Sequence, residues 1–411
     1  MERSDLSQTA GAACCVEELR VKNVSKCSAG ECYKITNQLR LSINKGKFMF
    51  YYLLYPLRDM FSVFNIFKYI TFRAAGSTVT AFLLIIFFGK TIIRRLKALK
   101  IGECVRKEQE CAAIYQYHKH KEGTPTMGGL LILGAIFISV LLWANLSNKY
   151  IWITMFTTLL LGGLGCIDDY IKLKKKGQRG LRVPVKLFFQ IILGVIVGVM
   201  LYYDPYIGDR LDIPFFKNLI VRLGLFYVFS TALVIIAASN AVNLTDGLDG
   251  LAIGCVSIVI ATYGVISYLS GHFTFSNYLQ IIYIPNIGEL SIFCAAVFGA
   301  GLGFLWYNCH PAEIFMGDTG ALALGGAIGV VAVLIKKEIL LILVGGIFVA
   351  EALSVILQVG YFKCRKKRLF LIAPLHHHFQ AKGWAESKVI FRFWIVAIIL
   401  SLLSLLTLKV R

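Results

Sequence analysis

An all-α, polytopic membrane protein is the fold this sequence predicts, and three observations predict it. The composition is 57% hydrophobic, with a mean hydropathy of +0.70 and only 16% charged residues, which excludes a water-soluble globular chain. Apolar runs near the ~20 residues that a helix needs to cross a bilayer recur along the chain and give about ten spans. Glycine recurs inside those runs, as at Gly194 and Gly198, Gly299 and Gly303, and Gly325 and Gly329, where small residues let membrane helices approach closely.

In order, the runs fall at about 74–95, 127–146, 151–167, 187–203, 219–239, 251–270, 290–306, 320–335, 339–361 and 390–408. Lys and Arg orient them. Segments 94–123, 168–186 and 363–388 carry 8, 7 and 7 basic residues, about twice as many as all the opposite loops and flanks together. The dense side is therefore expected to be cytoplasmic, with both ends of the ten-helix domain outside. Most of the +20 net charge is this asymmetry. No basic face on a soluble domain exists to bind nucleic acid.

The eleven cysteines do not form a spaced framework. Cys166, Cys255 and Cys294 lie in or beside apolar runs, where they read as small packing residues. Cys27 and Cys32 come nearest to zinc-ribbon spacing and have no partner pair. Residues 1–48 contain eight basic and five acidic residues and no apolar run, so they are neither a span nor a signal peptide. They read as a disordered, dispensable N-terminal extension, or as untranslated sequence ahead of a start at Met49. The membrane domain then occupies 49–411.

Four acid- or histidine-bearing segments interrupt the apolar chain, all on the expected cytoplasmic side: GCIDDYIK (165–172), NAVNLTDGLDG (240–250), IFMGDTG (314–320) and PLHHHF (374–379). An ionised carboxylate costs roughly 2.5–3.5 kcal/mol at the centre of a membrane helix, so such clustering points to chemistry at the membrane surface. Asp168 and Asp169 close the third run, where the helix dipole disfavours acids by roughly 0.3–1 kcal/mol each. Lys172, at i+4 from Asp168, offsets part of that, and a divalent cation or a cationic substrate group accounts for the pair better than a solvated helix end. Asp246 and Asp249 are expected to share a helix face, with Asn240 and Asn243 at the same spacing and Gly247 and Gly250 permitting close backbone approach. Asp318 has two readings, an N-cap of the eighth helix or a site carboxylate, and its neighbours Phe315 and Gly317 favour the second. His376, His377 and His378 are adjacent, which disfavours a three-histidine zinc site and suits a loop that offers imidazoles to phosphate. Carboxylates, Lys121, Lys172 and this loop together describe magnesium-assisted phosphoryl transfer on a nucleotide substrate.

Taken together, GTPTMGG (123–129), the Asp-Asp pair with Lys172, NAVNLTDGLDGLA, FMGDTG and HHHF-x-x-KGW resemble the phospho-N-acetylmuramoyl-pentapeptide transferases. These belong to the polyprenyl-phosphate N-acetylhexosamine-1-phosphate transferase superfamily, and the triple histidine favours the muramoyl-pentapeptide branch. The match runs from about Met49 to Arg411. It implies ten membrane helices, Mg2+ and a homodimer in the bacterial cytoplasmic membrane, with the site facing the cytoplasm. The implied reaction moves phospho-MurNAc-pentapeptide from UDP-MurNAc-pentapeptide to undecaprenyl phosphate, giving lipid I and UMP. Carried over by motif, Asp318 is the principal magnesium ligand. Asp168, a candidate base, and Asp169 mark the lipid-phosphate end, and Lys172, His376, His377 and His378 complete the catalytic set. Lys121, Asn308, Phe315 and the turn Gly247-Leu248-Asp249 form the uridine pocket, with Phe315 on the uracil. Thr126, Asn240, Asn243 and Asp246 complete the substrate-binding set. Gln380 departs from the glutamate that many members carry after HHHF or HHHY.

Two rivals differ in class. A UDP-GlcNAc-dependent member of the superfamily would differ in sugar use. A secondary transporter would place ionisable groups near the midplane, whereas only Glu351 and Arg222 are expected well inside spans.

Overall fold

The computed structural model of the chain describes residues 62–98, 123–174, 180–214 and 220–409. Lys121 and the 1–48 extension lie outside the described residues. Ten apolar helices follow the ten runs: α1 (Ile70–Ala98), α2 (Gly129–Trp143), α3 (Lys149–Lys174), α4 (Val183–Tyr202), α5 (Phe226–Thr245), α6 (Leu251–Ser270), α7 (Leu290–Asn308), α8 (Gly317–Leu334), α9 (Gly346–Arg365) and, beyond a short helix α10 (Leu375–Ala381), α11 (Glu386–Thr407). Among the described residues, nine helices are long and apolar enough to cross a membrane. The tenth, α2, has 15 residues and so rises only ~22 Å. Its chain leaves the helix at Gly128 to bond to the segment before α8.

Burial ranks the helices. α8 is the axis, with 89% of its apolar window covered, and α6 and α7 follow at 72%. α1, α4, α9 and α11, at 22–28%, present their apolar sides outward, as lipid-facing helices do. α8 packs on α3 and α5, α7 on α1 and α6, and α4 on α5. The glycines read from the sequence sit at these crossings. A Cβ on Gly194 would meet the Ala232 backbone at 2.7 Å, and one on Gly325 would meet Ala238 O at 2.5 Å.

Four expectations need correction. The fifth span begins at Phe226 rather than near 219, because Ile220–Arg222 pairs antiparallel with Arg210–Asp212 in a two-stranded hairpin. Arg222 is exposed on that hairpin and lies in no span. The ninth run is broken at Gly345, after a single turn at Leu341–Val344. The third run ends near 167, but α3 continues to Lys174, so Asp168 and Asp169 sit inside the helix rather than at its dipole-disfavoured end.

At the end of α8 opposite the aspartates, buried charges tie the hairpin down. Lys337 pairs with Asp212, both nearly inaccessible. Lys336 donates to Gly208 O at 3.1 Å, with its ammonium 3.8 Å from the centre of the Tyr227 ring. Nearby, Arg73 of α1 grips Glu289 with two bonds of 2.9 and 2.7 Å.

Candidate active site

Asp168 and Asp169 of α3 and Asp318 of α8 come from motifs about 150 residues apart, yet one carboxylate oxygen from each lies within 4.8 Å of the others. Close packing makes this possible. A Cβ on Gly165 would stand 2.3 Å from Asp318 O, and one on Gly129 would stand 2.2 Å from Gly320 N. The segment 123–129 also bonds to the chain ahead of α8: Phe315 N donates to Pro125 O at 2.8 Å, and Gly128 N to Phe315 O at 2.9 Å. Thr126 borders the aspartates; its hydroxyl oxygen lies 3.0 Å from where a Cβ on Gly317 would stand.

The three acids are not equivalent. Asp169 accepts from Asp318 N (3.2 Å), Thr319 N (2.9 Å) and Thr319 Oγ1 (2.7 Å). It therefore caps the first turn of α8 from a neighbouring helix, taking up N–H groups that no residue of α8 itself satisfies. The N-cap reading of Asp318 is thereby overturned: the cap position is Met316, and Asp318 lies within the first turn with its side chain facing the cluster. Asp168 accepts Leu181 N at 2.6 Å.

Among the described residues, two lysines hold the charge. Lys172 lies 2.8 Å from Asp168 and 3.1 Å from Asp318. Lys186, on the first turn of α4, lies 2.6 Å from Asp318 and 3.9 Å from Asp168. With its amide nitrogen towards Asp318, Asn243 donates to that carboxylate at 3.2 Å and accepts from Lys186 at 3.3 Å. Sequence reasoning missed Lys186, the last of several basic residues that run from the end of α3 into the first turn of α4. Its signal was its place at the start of an apolar run, just after Pro184.

A second group forms beside the first. Asp246 caps the end of α5, and 246–250 is a turn, so Asp246 and Asp249 do not share a helix face. Asp249 is buried, stands 3.1 Å from His310 Nδ1, accepts Ala312 N at 3.1 Å and donates its own N–H to Glu386 at 3.0 Å. Asn308 accepts Gly250 N at 3.0 Å and donates to Ile314 O at 2.8 Å, so it fixes this turn to the segment leading to Phe315. Leu248 turns into the core, leaving only its backbone on the turn. Asn240 lies deeper, and both amide hydrogens are used, on Gln190 Oε1 and Ile236 O, each at 2.9 Å.

The histidines lie on helix α10 rather than in a loop, and they diverge as adjacent residues must. His376 is buried, its Nδ1 3.2 Å from Glu351 of α9, while its Nε2 faces Gly247, where a Cβ would stand 2.3 Å away. His377 Nδ1 lies 2.9 Å from Gln380 Oε1, and His378 Nδ1 accepts Leu371 N at 3.2 Å. Burial, then Lys382, holds His378 below the usual imidazole range. Glu351 is therefore the buried support of the histidine helix.

Buried helices that bring aspartates and lysines to one end define a membrane-embedded transferase site of the phosphoryl-transfer kind. The Glycosyl transferase family 4 model matches residues 151–336, and a phospho-N-acetylmuramoyl-pentapeptide-transferase signature matches 121–133. Phospho-N-acetylmuramoyl-pentapeptide-transferases of Desulfotalea psychrophila, Citrifermentans bemidjiense and Thermodesulfovibrio yellowstonii are 53%, 52% and 52% identical to the chain. Each alignment covers 88% of this chain and all of the relative. The chain belongs to the phospho-N-acetylmuramoyl-pentapeptide-transferase family.

Proposed function

We propose that this protein transfers phospho-MurNAc-pentapeptide from UDP-MurNAc-pentapeptide to the lipid carrier undecaprenyl phosphate, giving lipid I and UMP in peptidoglycan synthesis. The observation that carries the reading is the meeting of Asp168, Asp169 and Asp318 with Lys172 and Lys186 at one end of the helix bundle. An oxygen of the lipid phosphate forms the new bond to the β-phosphorus, and the bond from that phosphorus to the bridging oxygen breaks, so UMP leaves with the electron pair. A phosphate monoester has its second pKa near ~6 and is largely ionised at neutral pH, so little base strength is needed from Asp168. The main barrier is repulsion between two anions.

The residues divide that work. Lys172 and Lys186 place two ammonium groups where the phosphates meet. Asp168 and Asp318 offer hard oxygen donors that fit Mg2+, which prefers one or two carboxylates plus substrate phosphates, while Asp169 is spent on positioning α8. When bound, the ion would neutralise phosphate charge and help align attack. The turn 246–250, Asn308 and Phe315 form the wall for uridine, with the Phe315 ring as stacking face. His377 and His378 offer imidazoles for diphosphate oxygens, and His376 anchors their helix. On this reading the site faces the cytoplasm of a bacterial inner membrane, which the basic-residue asymmetry of the loops supports, and the functional unit is a homodimer among membrane lipids. Residues 1–48 are a dispensable extension to the 49–411 transferase domain.

UMP release from purified protein tests this reading. It should require UDP-MurNAc-pentapeptide, undecaprenyl phosphate and Mg2+ together. Equal release with UDP-GlcNAc would move the protein to the other branch of the superfamily.

A further inference from the structure

Below the aspartate cluster lies a second polar layer, made by the same three helices. Lys186 on α4, Asn243 on α5 and Asp318 on α8 form the upper layer. Four residues further into each helix, or three for the second amide of α5, stand Gln190, Ser239 with Asn240, and Leu322. Four residues of helix advance ~6 Å, so each lower group lies one turn beneath its counterpart on the same face. Asn240 Nδ2 donates to Gln190 Oε1 at 2.9 Å. Ser239 Oγ donates to Leu322 O at 3.0 Å, and Gln190 Nε2 reaches Ser239 Oγ at 3.5 Å. Gln190 and Ser239 are almost wholly inaccessible.

A glutamine buried in a membrane bundle loses water and has only protein groups to satisfy it, so its partner fixes its position. Here the partner lies on the neighbouring helix, in a crossing where Gly194 and Gly198 bring α4 and α5 close. Sliding α4 along α5 would strand the Gln190 amide and would carry Lys186 away from Asp318 by the same distance. α4 is a peripheral helix with most of its surface outward, so its apolar packing alone constrains that slide weakly.

We propose that Gln190 is a positioning residue for the transfer reaction: with Asn240 and Ser239 it pins α4 to α5 and α8 and so sets Lys186 against Asp318. The inference rests on the reading of Lys186 and Asp318 as part of the reaction centre. It also gives Asn240 a different task from substrate binding.

The test replaces Gln190 with Met, which keeps the length and loses the acceptor, and with Glu, which keeps an acceptor for Asn240. Gln190→Met should lower kcat about 10- to 100-fold, the range typical of groups that orient a reactive ligand. KM for both substrates should stay at wild-type values, the melting midpoint in detergent should fall modestly because Asn240 loses an acceptor, and Gln190→Glu should recover most of the turnover. Wild-type kcat per folded molecule in Gln190→Met would overturn the proposal, as would a kcat loss that Gln190→Glu does not recover. Lys186→Met, assayed alongside, separates the two readings. If it turns over normally, the reaction-centre assignment fails; if it is inactive while Gln190→Met is active, the pin alone fails.

Discussion

Single residues at the site have separable duties, and the separation can be measured. Phe315 is held by backbone bonds on both sides, to Pro125 O and from Gly128 N, so replacing its side chain should leave the chain path intact. Phe315→Leu keeps apolar bulk and removes the stacking face, worth about 1–3 kcal/mol for a nucleic-acid base on an aromatic ring. Apparent affinity for the UDP-sugar should weaken about 5- to 150-fold, with the KM for undecaprenyl phosphate unchanged. Equal weakening for both substrates would remove the ring from the uridine wall. Asp169 illustrates a limit of reading residues singly. Its neighbour relation to Asp168 is plain in the sequence, but its capping of α8 depends on a helix 150 residues away.

Elements were legible wherever periodicity and length determine them. All ten apolar runs became helices, because a chain in a bilayer must satisfy its backbone internally. The departures have local causes: strand pairing shortened the fifth run, Gly345 broke the ninth, and the polar end of the third stayed helical through Lys174. The site motifs were legible as residue types. Their division of labour was not, since Lys186, Glu351 and Gln190 carry no motif of their own and acquire roles only through helix packing. Helix α10 shows this coupling most sharply. A Cβ on Gly247 would overlap His376 Nε2, and His376 is too buried to swing away. Gly247→Ala should therefore displace the histidine helix. Overpacking there costs the usual ~1–3 kcal/mol, and turnover should fall while the protein still inserts and purifies. Undiminished turnover in that variant would show that α10 and the 246–250 turn need not touch.

At the scale of the whole molecule, α8 joins a reactive end to a purely structural one. Lys337 and Asp212 form their buried pair at the far end of α8 from Asp318. Lys337→Met takes the lysine from a buried carboxylate and should cost about 3–5 kcal/mol, seen as a lower melting midpoint, with turnover per folded molecule unchanged. Adding Asp212→Leu should restore much of the midpoint. Among the described residues, the reactive end offers two places where carboxylates converge, Asp168-Asp169-Asp318 and Asp249-His310-Glu386, and under the proposed function the metal binds at the first alone. Binding of Mn2+ to the purified protein, followed by electron paramagnetic resonance, distinguishes them. Asp318→Asn, nearly the same size without the charge, should weaken Mn2+ binding at least about tenfold, whereas Asp249→Asn should leave it unchanged. Loss of binding in Asp249→Asn with retention in Asp318→Asn would contradict the assignment of the active site.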